Sequence, residues 1–175
     1  MKIAIVGAGK QGLTITESLL NCGYEVTLID KDPELLQKVV SQLDLLTVTG
    51  NAKNIALLRE IDIDSYDYLI AVTDDDEKNM VICTLAKMLG CGSVIARVRG
   101  PEHVNQIQFI KEAMAIDHIV NPDLAIANEI SKYLVEKYTL ADGYFAIGKI
   151  SIIEFTADRL PVIIGKKISE IGKML

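Results

Sequence analysis

The chain opens on Lys2-Ile3-Ala4-Ile5-Val6 and passes without interruption into Gly7-Ala8-Gly9-Lys10-Gln11-Gly12. Few folds accept a G-x-G-x-x-G that leaves an apolar strand and enters a helical pattern. The first glycine permits the tight turn, the second lets the backbone approach a pyrophosphate, and the third lets the helix pack on the strand. N–H groups at such a helix start have no partner within the helix and face the phosphates. The motif alone is weak, but its context strengthens it. Asp30 stands eighteen residues after Gly12, at the end of the next apolar run, where a dinucleotide fold keeps the carboxylate that accepts hydrogen bonds from the adenosine ribose. A carboxylate there repels a 2′-phosphate and favours NAD(H) over NADP(H), while Lys31 beside it acts in the other sense. The competing reading is a glycine turn with an incidental acid.

The rest of the chain keeps the rhythm this opening sets. Short β-branched runs at 2–6, 25–29, 45–48, 68–71, 93–97 and 118–120 alternate with helical stretches at 11–22, 33–42, 54–60, 76–89, 101–114 and 123–138. That alternation predicts an α/β fold of Rossmann type, a doubly wound parallel sheet with helices on both faces. The strands are apolar on both sides, as strands covered twice must be. Pro33 and Pro101 suit first-turn positions, and Gly90 suits a helix C-terminal cap. Asp74-Asp75-Asp76-Glu77 places carboxylates at a helix start, where they serve either the helix dipole or a ligand.

Composition excludes other classes. Of 175 residues, 50% are hydrophobic and 24% charged, too apolar for a disordered chain and long enough to bury a core without staples. The net charge of −6 and the absence of a Lys/Arg cluster argue against nucleic acid as a partner, because duplex binding needs a basic face. The longest run free of Asp, Glu, Lys and Arg is nine residues, 88–96, against about 20 for a membrane-spanning helix. The opening has no apolar h-region and is not read as a signal peptide. Cys22, Cys83 and Cys91 fall in no metal-ligand spacing, and buried thiols in a reducing cytosol are expected.

Two more strand ends point toward the same crevice. Thr73 follows the fourth strand and has two readings, a bond to ribose or phosphate and the start of a cap for the next helix. Arg97 ends the fifth, where an arginine in an apolar strand is costly without an anionic partner; a pyrophosphate or a nearby aspartate would serve. No catalytic or metal-binding set is read. The histidines, His103 and His118, read as structural. Tyr133 and Lys137 fit a Tyr-x-x-x-Lys pair, yet residues four apart on a helix are more simply surface neighbours.

Longer blocks carry a resemblance. They are MKIAIVGAGKQG at the start, LID at 28–30, TGNA at 49–52, LIAVTDDDEKNM at 69–80, IARVRGPEH at 95–103 and DHIVNPDLAIANEI at 117–130. With them the sequence resembles the RCK (KTN) family, the regulatory nucleotide-binding subunits of potassium transport, over essentially its whole length. The resemblance implies a domain that binds NAD(H), or in some relatives ATP or ADP, and regulates a potassium-translocating membrane subunit of Trk or Ktr type instead of performing redox chemistry. It implies nucleotide contacts from Gly7, Ala8, Gly9, Lys10, Gln11 and Gly12, from Asp30 with Lys31, from Thr73 with Asp74, and from Arg97. Many members have aspartate where this chain has Asn51, which can hydrogen-bond a base or ribose without charge; both dinucleotide and adenine mononucleotide stay open.

The resemblance further implies a cytoplasmic protein, peripheral to the inner face of the plasma membrane, that assembles as dimers and tetrameric gating rings. Residues 1–139 are expected to form the nucleotide-binding domain and 140–175 the incomplete opening of a small α+β second domain. Asp142-Gly143 reads as a turn ahead of an apolar segment from Tyr144 to Ala157, and 168–175 as a helix cut short. Two other functions are kept open: the cofactor-binding half of an NAD-dependent oxidoreductase, and a module whose nucleotide is purely structural.

Overall fold

In the computed structural model, β1 (Lys2–Val6), α1 (Lys10–Asn21), β2 (Glu25–Asp30), α2 (Pro33–Val40) and β3 (Leu46–Thr49) form the first half of an α/β unit. The second half contains α3 (Ile55–Glu60), β4 (Tyr68–Ala71), α4 (Asp76–Met88), β5 (Ser93–Arg97), α5 (Ile107–Ala113) and β6 (His118–Val120). The helix α6 (Pro122–Glu136), the strands β7 (Ala141–Phe145) and β8 (Ile150–Glu154), and the short α7 (Ile168–Ile171) complete the chain. The structure describes residues 1–100, 106–136, 141–145, 150–154, 162 and 164–171.

The six strands β1 to β6 make one sheet in the order β3-β2-β1-β4-β5-β6, every neighbouring pair parallel. This is the doubly wound order, with its switch point between β1 and β4. Alternate residues of each central strand serve opposite faces. Ala4, Val6, Leu69, Ala71, Val94 and Ala96 pack with Met80, Ile82, Cys83 and Ala86 of α4. Ile3, Ile5, Val26 and Leu28 pack with Leu36 and Val39 of α2 and with Leu13, Leu19 and Leu20 of α1. Full burial of a side chain such as Ile5 or Leu69 contributes on the order of 2 kcal/mol.

Register fixes where the functional edge lies. Val6 pairs with Ile29 on one side and Ala71 on the other, and Ala71 pairs with Ala96. The next residue of each chain, Asp30, Gly7, Val72 and Arg97, therefore stands in one row at the C-terminal edge of the sheet.

Local chemistry sets the helix ends. Asp32 caps α2 by accepting from Glu34 and Leu35 N–H at 3.0 and 3.2 Å, with Pro33 in the first turn. Asn54 caps α3 and Asp75 caps α4. Gly90 has φ +104°, and the bonds Gly90 N to Lys87 O and Cys91 N to Ala86 O form the double closure expected of a left-handed C-terminal cap. The expected first-turn position of Pro101 lies outside the described residues, and α5 is seen from Ile107.

Two expectations are corrected. Cys22 is exposed, unlike buried Cys83 and Cys91; it is the C-cap of α1, where the chain turns out through Gly23 and its apolar neighbours do not enclose it. Asp142 and Gly143 do not form a turn: they pair with Ile153 and Ile152 inside the antiparallel β7–β8 ladder, because cross-strand pairing overrides a local turn preference. The described residues form two compact units, Met1–Asp123 and Leu124–Leu175. That division falls in the first turn of α6. Among the described residues no helix is long and apolar enough to cross a membrane.

Candidate functional site

At the C-terminal edge of the six-stranded sheet lies a cleft of about 780 Å³. Ten of the twelve expected contact residues line it: Gly7, Gly9, Lys10, Gln11, Asp30, Lys31, Asn51, Thr73, Asp74 and Arg97. Ala8 and Gly12 do not. Ala8 is fully buried in the turn, and Gly12 lies against Gly7.

The glycine loop shows three different constraints. Gly7 has φ +111°, and a Cβ there would stand 3.0 Å from Thr73 N, so the turn can lie against the end of β4 only without a side chain. At Gly12 a Cβ would meet the Gly7 carbonyl oxygen at 1.8 Å. At Gly9 nothing stands within 4 Å of the corresponding position, and its open side leads into the cleft. Gly9 is also the N-cap of α1, with no side-chain cap, whereas α2, α3 and α4 are capped by Asp32, Asn54 and Asp75. The α1 start keeps N–H groups available to an anion.

Asp30 has a role beyond the expected one. Its Oδ2 accepts the Ala8 N–H at 2.7 Å and its Oδ1 accepts the Asp32 N–H at 3.0 Å. The carboxylate thus fixes the glycine turn and the entry to α2, while each oxygen keeps a lone pair for a ribose hydroxyl. Asn51 also works locally: its Oδ1 accepts Lys53 N–H at 3.1 Å.

Arg97 has no ion pair to a carboxylate among the described residues. Its Nη1 donates to Thr73 O at 3.1 Å and Val72 O at 3.4 Å, and its buried Nε has no partner. Burial pushes the guanidinium pKa down, and Arg99 pushes it the same way, with Asp76, Asp123 and Asp74 opposing. Of the two partners that the sequence leaves open for this arginine, an internal aspartate pair is absent among the described residues, and the residue lines the cleft, where an anion would meet the guanidinium.

Sequence reasoning missed one contributor, Asn79, and did not read the partners of two more, Asp75 and Asp76. Asn79, on α4, is fully buried; it bonds Thr73 N–H and hydroxyl through Oδ1 and the Arg97 carbonyl through Nδ2. A polar residue on an apolar helix face was its only signal. Asp76 accepts Arg99 N–H and Gly100 N–H, both at 2.7 Å, and ties the exit of β5 to the start of α4. Asp75 caps α4 and pairs with Lys78 at 2.8 Å, and Lys78's side-chain and backbone bonds hold its carboxyl below the ordinary value. Of the two readings of the run Asp74 to Glu77, the helix start is seen in the Asp75 cap, and Asp74 alone of the four lines the cleft.

Six basic residues, Lys10, Lys31, Lys53, Lys78, Arg97 and Arg99, line the cleft against the acidic Asp30, Asp32 and Asp74. The cleft is positive in a chain of net charge −6, which concentrates anions at it. Among the described residues no group of three or more His, Cys, Asp or Glu is placed to hold a metal ion. His118 is exposed and Tyr133 is 76% exposed; His103 and Lys137 lie outside the described residues.

The TrkA-N domain model matches residues 3–122. Curated relatives include a Trk system potassium uptake protein TrkA homolog of Methanothermobacter thermautotrophicus, 30% identical over 98% of this chain and 77% of its own length. The Haemophilus influenzae Trk system potassium uptake protein TrkA is 33% identical over 87% of this chain and 34% of its own length, so the chain spans about a third of that relative. Among solved structures, the RCK domain of GsuK is 27% identical with a TM-score of 0.60, over 78% of this chain and 28% of that one. The GsuK channel bound to NAD has the same fold at 18% identity and a TM-score of 0.62, over 83% of this chain and 25% of that one.

Proposed function

The chain belongs to the TrkA-N domain family, and from that premise we propose that its cleft binds an adenine nucleotide, NAD(H) or ATP/ADP, as a regulatory ligand in Trk-type potassium uptake. The observation that carries the reading is Arg97: a guanidinium with no carboxylate partner among the described residues lines the same cleft as the open Gly9 loop and Asp30. The α1 start and Arg97 take the phosphates, and Asp30 takes a ribose. Asp30 also disfavours a 2′-phosphate, and so NADP(H). Further support comes from the NAD named for the GsuK channel structure and from the potassium-uptake names of the relatives.

In this reading the nucleotide acts through binding alone. A ligand that binds one conformation of an assembly better than another shifts the population toward it, and coupling between two sites typically amounts to about 1–3 kcal/mol. The receiving partner is a potassium-translocating membrane subunit, and the protein works at its cytoplasmic face as a homo-oligomer. Calorimetric titration with NAD⁺, NADH, ADP and ATP tests the reading. Binding of at least one, weakened sharply in Asp30→Ala and Arg97→Ala, is the expected result; no binding of any sinks it.

A further inference from the structure

Asn79 is the fully buried polar side chain behind the cleft wall, and its amide has one chemically consistent orientation. Its Oδ1 faces the Thr73 N–H at 2.9 Å, an obligate donor, and its Nδ2 faces the Arg97 carbonyl at 2.9 Å and the Thr73 carbonyl at 3.3 Å, both obligate acceptors. Exchanging oxygen and nitrogen would set donor against donor and acceptor against acceptor. Asn79 Oδ1 is therefore an acceptor toward Thr73, and the Thr73 hydroxyl lies 2.7 Å from it.

The Thr73 hydroxyl has a single hydrogen. Its contacts with an acceptor are Asn79 Oδ1 at 2.7 Å and the Asp75 carbonyl at 3.3 Å, so the hydrogen is directed into the protein in either case. What remains on Oγ1 is lone-pair density, engaged only by a long contact from Asp75 N–H at 3.4 Å. A hydroxyl so held accepts from a ligand and does not donate to it. An ionised phosphate oxygen is an acceptor as well, so it gains nothing at this atom.

We propose that Asn79 is a positioning residue that holds the Thr73 hydroxyl as an acceptor, so that Thr73 receives a donor group of the nucleoside, a ribose hydroxyl or the base amine, and leaves the phosphates to the glycine loop and Arg97. This rests on the nucleotide reading above. It separates ribose from phosphate, which the sequence leaves together as ligand partners of Thr73, and it gives the buried asparagine a purpose in ligand selection.

The test is calorimetric titration of the full chain with ADP, 2′-deoxy-ADP, 3′-deoxy-ADP and IDP, which carries a carbonyl in place of the amine, in the wild type, Thr73→Val and Thr73→Ser. One hydrogen bond corresponds to roughly a 2- to 12-fold change in affinity. Thr73→Val is expected to weaken ADP by such a factor, and one of the three analogues, penalised similarly in the wild type, loses its penalty in Thr73→Val and keeps it in Thr73→Ser. Which analogue does so identifies the donor.

Asn79→Ala is expected to reduce the same discrimination, because the Asp75 carbonyl at 3.3 Å holds the hydroxyl hydrogen less firmly than Asn79 Oδ1 at 2.7 Å. A purely structural asparagine would instead weaken all four ligands alike. If Asn79→Ala does not fold, the two Thr73 variants decide. The proposal is overturned if Thr73→Val leaves ADP unchanged or weakens ADP and all three analogues by one common factor. If the wild type binds no adenine nucleotide, the functional reading itself has failed, a result distinct from binding without discrimination.

Discussion

The Oδ2 atom of Asp30 accepts the main-chain N–H of Ala8 at 2.7 Å, so the carboxylate at the end of β2 holds the glycine turn that leaves β1. Because Ala8 is fully buried, Asp30→Ala strands a buried N–H and is expected to destabilise the fold by about 1–3 kcal/mol, besides weakening nucleotide binding at least about 10-fold. Asp30→Asn has one acceptor oxygen for the two N–H groups of Ala8 and Asp32 and sets its own NH2 against the other, so it recovers part of the stability and not the affinity. Urea unfolding alongside calorimetry separates the two effects; equal stability of Asp30→Ala and the wild type would refute the anchoring role.

Gly9→Ala and Gly12→Ala are expected to behave oppositely. The added methyl at Gly12 would stand 1.8 Å from the Gly7 carbonyl, so the helix must shift on the strand, destabilising by about 3 kcal/mol or more. At Gly9 the space is open and φ is −69°, so stability changes by less than about 1 kcal/mol, while a methyl facing the cleft blocks close approach of a pyrophosphate. Melting temperatures and affinities of the two variants check this.

Arg97→Met removes a half-buried cation that lacks a carboxylate partner, at the expense of two bonds to carbonyls. Its unfolding free energy is expected to stay within about 1 kcal/mol of the wild type, while nucleotide affinity falls at least about 10-fold. A large loss of stability would mean that the guanidinium serves the fold and not a ligand.

The three thiols differ in reactivity. Burial pushes Cys83 up to about 12 and Cys91 up to about 11, which leaves little thiolate at pH 8. Cys22 is exposed. An aromatic disulfide reagent is expected to react quickly with one equivalent of thiol in the native protein and with three after unfolding; Cys22→Ser abolishes the fast phase.

Asp117 couples α4 to β5. Burial raises its carboxyl pKa, but the Lys87 ammonium at 2.9 Å and the Val94 N–H outweigh this and hold it below the ordinary value. A depressed folded-state value stabilises above the unfolded pKa of about 3.9, and the contribution is lost as pH falls through the folded value. Asp117→Asn is expected to lose about 1 kcal/mol at pH 7 and to show a shallower loss of stability below pH 4 than the wild type. Parallel acid-unfolding curves for the two proteins would contradict the assignment.

Most of the sheet was legible because each signal was local. The apolar runs at β1, β4, β5 and β6 have the bounds read from sequence, β2 is longer by Asp30, and β3 is displaced by one residue. The glycine loop and Asp30 were readable because a strand, a turn and a helix start lie within a few residues of one another. Asn79 and Asp76 were not. Their partners, Arg97 with Thr73 and Arg99 with Gly100, are brought to them by the parallel pairing of β4 and β5, and nothing in a run of polar residues states which of them will face that seam.

The sequence by itself determined the alternation of strand and helix, the glycine turn, and the carboxylate and arginine at strand ends, because periodicity and backbone sterics act over short separations. Only the tertiary structure decided what those groups meet: that Arg97 finds carbonyls and an open cleft instead of an aspartate, that Asp30 grips Ala8, and that a buried asparagine fixes the direction of the Thr73 hydroxyl. Hydrogen-bond direction and burial depend on atoms far apart in the chain, and the sheet register sets them side by side.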